Sequence, residues 1–167
     1  MTIPPGVPRD RDPAGRPRNA RPRDALGRPL DRGAAGEPAL PDEMILPPAE
    51  ALALAQRLVD DGRPFRAHEA LEAAWRTAPS RERDLWRGLA QIAVGLTHAQ
   101  RGNALGAVAL LRRGSQGVGG FTGSAPYGID PAGIARSAAN LASLIEQAGL
   151  TGITPADLRL RLRGPAR

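Results

Sequence analysis

The stretch RERDLWRGLAQIAVGLTHAQR, residues 81–101, decides the fold. It reads as one long helix that ends at Gly102. Its length and weakly polar middle predict a central helix, nearly surrounded by others. Gly88, Gly95 and Gly102 recur every seven residues and so drift only slowly around it. Glycine inside a helix costs about 1 kcal/mol relative to alanine. A stripe of it implies a neighbouring helix at close approach.

Outward from this centre the helix signals continue. On the N-terminal side, Pro64 opens a helix over residues 63–78, RPFRAHEALEAAWRTA, in which Phe65, His68, Leu71, Glu72 and Trp75 share a face. Pro79 stops it, and Ser80 is a candidate N-cap for the next. Before it, AEALALAQRLVDD at 49–61 places Leu52, Ala55, Leu58 and Val59 on one face and ends at Gly62. On the C-terminal side, Asn103 caps ALGAVALLRRGSQ at 104–116, and Asp130 with Pro131 opens PAGIARSAANLASLIEQAG at 131–149. The last segment, TPADLRLRLR at 154–163, is either a short helix capped by Thr154 or an extended tail; its Leu/Arg alternation favours the extended form. Gly62-x-x-Phe65-x-Ala67-x-x-x-Leu71 is echoed by Gly102-x-x-Leu105-x-Ala107-x-x-x-Leu111, as two helix starts in hairpins would be.

The expected fold is all-α: a compact bundle of about five helices around a central helix, within residues 44–150. Residues 1–43, rich in Pro, Arg, Gly and Asp, bury too little apolar surface to offset their ordering entropy. They are expected to form a disordered tail dispensable for folding. Residues 151–167 form a short basic C-terminal segment.

Composition narrows the function. The chain has no Cys, which excludes disulfides, thiolate zinc sites and a cysteine nucleophile. The N-terminus lacks the apolar core of a secretory signal, and no apolar stretch is long enough to span a bilayer, so a cytoplasmic location without a membrane partner is expected. The net charge of +6 invites a nucleic-acid partner. The charges are interleaved, however, as in RDRD and RERD, and every basic residue is Arg. A solvated arginine surface is the simpler reading.

His68 and His98 are the only histidines. His68 and Glu72, four apart on a helix, stack one above the other, with Glu69 at the rim. Gln91 and His98 lie seven apart near the glycine stripe. In an antiparallel hairpin these five residues form a candidate polar or ligand cluster. Two imidazoles and a carboxylate, His68, Glu72 and His98, are also a candidate divalent-metal site. The zincin spacing is not met, because Glu72 stands where its second His is required. The glycine-rich loop at 117–128 is not a phosphate loop: there is no Lys, and Thr122 stands where the dinucleotide fingerprint requires Gly. Ser115 and Ser124 lack a nucleophile-elbow context.

Residues 65–114, followed by YGID at 127–130, resemble a family of small bacterial and archaeal helical proteins, domain-of-unknown-function family 309. The resemblance rests on His68, Glu69, Glu72 and Trp75; on Gly88, Leu89, Gln91, Ala93 and His98; on Gly102, Asn103, Gly106 and Ala107; and on Gly128, Ile129 and Asp130. It implies a compact helical bundle around a central helix and no particular activity. The Arg/Pro tail departs from the family pattern. The functional reading is a non-enzymatic binding or interaction module, with a protein partner or a second copy of the chain among its possible partners. The alternatives are a metal-dependent, hydrolytic enzyme using His68, Glu72 and His98, and an arginine-driven nucleic-acid binder.

Overall fold

The computed structural model describes residues 21–41, 44–124 and 126–164. Five α-helices follow in order: α1 Pro48–Asp60, α2 Pro64–Thr77, α3 Arg83–Gln100, α4 Ala104–Gly119 and α5 Pro131–Ala148. Among the described residues there is no β-strand, only an isolated bridge between Arg23 and Pro29. None of the described helices is long and apolar enough to cross a membrane.

The helix ends follow from local chemistry. Pro occupies the first turn of α1, α2 and α5, where its missing N–H costs nothing. The Asn103 and Asp130 side chains accept from Gly106 N and Gly133 N at 2.9 and 3.0 Å, capping α4 and α5 as expected. Gly62 and Gly102, with φ of +72° and +80°, terminate α1 and α3 in the left-handed conformation. The sequence echo between 62–71 and 102–111 is therefore two helix–turn–helix junctions; its Phe65 and Leu105 do not correspond, since Leu105 is 87% exposed. Ser80 donates no cap. It opens a 3-10 turn, Ser80–Glu82, and α3 begins after it.

Each helix packs on its neighbours in sequence, with α3 and α4 in the most extensive contact. Eleven of the eighteen residues of α3 are buried, as a central helix requires. The core is aliphatic and alanine-rich, with Trp86 its one fully buried large ring. On α2 the buried face is Ala67, Ala70, Leu71 and Ala74. Phe65, His68, Glu72 and Trp75, expected on the core side, are only half-buried. Alanine lets two helix backbones approach closely, so the small-residue face takes the helix contact and the large residues flank it.

The same rule governs the α3–α4 hairpin. A Cβ on Gly95 would lie 2.9 Å from Leu111 Cγ, and one on Gly114 would lie 2.7 Å from the Gly88 carbonyl oxygen. The contact stripe is thus Gly88 and Gly95 on α3 against Gly114 and Gly117 on α4. Gly102 has nothing within 4 Å and serves the turn alone. Because its glycines face α3, α4 runs to Gly119 and takes in the start of the expected connector.

Two irregular segments close the molecule. Thr154 caps a short 3-10 turn, Pro155–Leu158, with Asp157 completing the capping box. Beyond it the chain has no regular structure, and Leu alternates inward with Arg outward until Leu162 is fully buried. Gln56 of α1 clamps this strap: its Oε1 accepts from Leu162 N at 2.7 Å and its Nε2 donates to Leu160 O at 3.2 Å. Of the expected tail, residues 1–20 and 42–43 lie outside the described residues. Residues 21–41 contain no helix and lie against α2 and the α3–α4 turn.

Candidate functional site

The five residues of the expected polar cluster fall into three separate places. His68 and Glu72 do pair along α2, with Nε2 3.3 Å from Oε2. This bond uses the Nε2–H of the ring, while Nδ1 is buried without a hydrogen-bond partner. Burial lowers the His68 pKa below its ordinary 6.5, against the opposing pull of Glu72 and Glu69. A neutral imidazole with its proton on Nε2 satisfies both observations. Glu72 itself is 43% exposed, so its carboxylate is hydrated and requires no buried partner.

Glu69 turns to Arg66. Arg66 Nη1 donates to both Glu69 carboxylate oxygens, at 3.1 and 2.8 Å, and its Nη2 donates to the Glu37 backbone oxygen at 2.9 Å. Arg66 is only 4% exposed, and this bidentate pair neutralises it.

His98 belongs to the far end of α3. The Asn103 amide nitrogen lies 3.0 Å from His98 Nδ1. Asn103 Oδ1 is committed to Gly106 N, so the amide nitrogen is the donor and His98 Nδ1 the acceptor. Burial, with Arg101 nearby, lowers the His98 pKa, in keeping with that unprotonated nitrogen. The role is local: His98 steadies the residue that caps α4.

Among the described residues no group of three or more His, Asp or Glu stands where it could share a metal ion. The expected divalent-metal set of His68, Glu72 and His98 is therefore not assembled. The reason is the face assignment on α2: alanines meet α3, and His68 and Glu72 stand to the side.

Around His68 the sequence reading missed an aromatic–cation stack. The guanidinium carbons of Arg23, Arg66 and Arg101 lie 5.2, 5.7 and 5.7 Å from the Phe65 ring centre, and the His68 ring lies 5.7 Å away, tilted. Gly27, at φ +74°, lies flat on the same ring, where a Cβ would be 2.2 Å from Phe65 Cγ. Arg101 Nε donates to Leu26 O at 2.8 Å. Nothing in the local pattern of residues 21–41 announces this seat; it is made by contacts 29 to 75 residues apart.

Gln91 lies elsewhere again, in a groove of about 750 Å³ beside the α3–α4 contact. Arg81, Asp84, Arg87 and Gln91 line one wall, and Arg113, Gln116, Phe121 and Thr122 line the other. The groove exists because Gly88, Gly114 and Gly117 bring the two backbones together and leave the longer side chains to splay. Among the described residues, Arg87, Arg113, Gln91 and Gln116 have no side-chain hydrogen bond or ion pair. In sequence, Arg87 and Gln91 are four apart and Arg113 and Gln116 three apart, which puts each pair on one helix face. Only the hairpin joins the two pairs. A smaller pocket of about 210 Å³, near Gln100 and the C-terminal 3-10 turns, is lined mostly by apolar side chains.

Residues 52–110 match the family model described as Domain of unknown function (DUF309), about a third of the chain. The matched segment runs from α1 into the first half of α4, and the family is the one whose resemblance was expected from the sequence. No curated protein and no solved structure matches the chain. The described residues are thus all-α, and residues 52–110 are similar to this family.

Proposed function

We propose that the protein is a non-enzymatic binding module that holds an anionic ligand in the α3–α4 groove. One observation carries the reading: Arg87, Arg113, Gln91 and Gln116 converge on a cavity of about 750 Å³ with no partner among the described residues. Arginine forks recognise phosphate or carboxylate oxygens bidentately, and primary amides add a donor and an acceptor each. Pockets of this volume suit small organic ligands. The titratable groups that an enzyme would need are engaged in local pairs: His68 with Glu72, Glu69 with Arg66, His98 with Asn103.

The test is titration of the full chain with inorganic phosphate at constant ionic strength, followed by backbone amide chemical shifts. Saturable shifts centred on residues 87–91 and 113–117 are expected, and Arg87→Gln combined with Arg113→Gln should remove them. Linear shifts spread over the whole arginine surface would overturn the reading.

A further inference from the structure

We infer, building on the anion-binding reading above, that the ligand of the α3–α4 groove is a free nucleoside phosphate. The lining supplies three kinds of recognition in one cavity. Arg81, Arg87 and Arg113 bring guanidinium groups, which match the oxygens of a phosphate. Phe121 brings an aromatic ring that is half-buried against the core, so it is a fixed platform of the kind on which a base stacks. Gln91 and Gln116 bring primary amides, whose adjacent donor and acceptor match the edge of a base such as adenine.

Asp84 is the one carboxylate in the lining. It repels a second phosphate but accepts hydrogen bonds from sugar hydroxyls, as acidic residues do in nucleotide sites. A ligand of oxyanions alone would leave Asp84, Phe121 and the amide carbonyl acceptors unused. Volume agrees: a bare phosphate takes the space of a few waters, at roughly 30 Å³ each, and would leave most of the 750 Å³ empty. Of the arginines in the groove, Arg81 also lies 3.8 Å from Glu82, which leaves Arg87 and Arg113 as the guanidinium groups open to the phosphate.

The experiment is calorimetric titration of the full chain with four probes at one ionic strength: AMP, ribose 5-phosphate, adenosine and inorganic phosphate. AMP should bind at least tenfold more tightly than inorganic phosphate or adenosine. Phe121→Leu should weaken AMP five- to tenfold and leave inorganic phosphate unchanged, while Arg87→Gln should weaken both. Circular dichroism and melting temperature establish that each variant is folded. Equal affinities for AMP and inorganic phosphate, or no effect of Phe121→Leu on AMP, would overturn the nucleotide assignment and leave the anion site standing. An adenylate octamer binding more than tenfold tighter than AMP would overturn the free nucleotide in favour of a strand. Saturable binding by none of the probes would remove both readings.

Discussion

His68 shows how one residue's surroundings, and not its type, set its chemistry. Its Nε2 reaches Glu72, its Nδ1 is buried and unpaired, and its ring tilts against Phe65. Burial favours the neutral ring, Glu72 and Glu69 favour the charged one, and Arg23 opposes it; burial prevails, and the folded-state pKa is below 6.5. As pH falls, the unfolded chain therefore takes up this proton before the folded chain does. The resulting stability is fully present above pH 6.5 and is lost as pH falls toward the depressed folded value. His68→Gln should accordingly flatten the dependence of stability on pH between about 7 and about 5. Urea unfolding of both proteins at the two pH values measures this. An unchanged slope in the variant would show that His68 titrates alike in both states. The variant retains His98, so that residue's own depressed pKa contributes equally to both curves.

At the scale of the helical element, the α3–α4 hairpin is built on glycine, and the cost to helix propensity is offset by contact. A Cβ on Gly88 would lie 2.8 Å from Val118 Cγ2, 2.9 Å from Val118 N and 3.0 Å from Gly114 O. Two of these three neighbours are backbone atoms and cannot turn aside. Alanine should gain about 1 kcal/mol of helix propensity at an unconstrained position. At Gly88 the forced separation of the backbones should outweigh that, for a net loss on the order of 1–3 kcal/mol. The midpoint of urea unfolding for Gly88→Ala decides between the two effects, and a gain in stability would mean the hairpin has slack. The same contact shapes the groove, so any loosening should also weaken ligand binding there.

Across the whole molecule, residues distant in sequence complete what the five helices begin. Glu37 answers Arg63 and offers its carbonyl to the buried Arg66, Leu26 takes the Arg101 guanidinium, and Gly27 covers Phe65. Composition suggests that residues 1–43 are dispensable. The contacts of residues 21–41 with α2 and the α3–α4 turn argue otherwise. Deleting 1–43 removes the carbonyl partners of two arginines, and a broken bond to a charged group costs roughly 1.5–3 kcal/mol. The truncated chain should melt several degrees lower while keeping its helical circular dichroism. An unchanged melting temperature would show that the helical core is indifferent to residues 1–43.

The helices themselves were legible in the sequence because their determinants are local. Proline at a first turn, an Asn or Asp cap three residues before its backbone partner, and glycine at a left-handed terminus all act within one turn of chain. So did the pairing of His68 with Glu72 and the inward alternation of Leu158, Leu160 and Leu162. The tertiary structure decided what no local rule can: which face of α2 meets α3. Alanine and glycine carry little hydrophobic signal, so periodicity pointed to Phe65 and Trp75. Close approach of backbones favoured the small residues instead. That choice set His68 and Glu72 to the side of α2, sent Gln91 into a groove with Arg87 and Arg113, and left Phe65 free to receive residues 21–41. Each of these placements depends on chain segments tens of residues apart meeting in space, and that meeting is set by packing, not by local propensity.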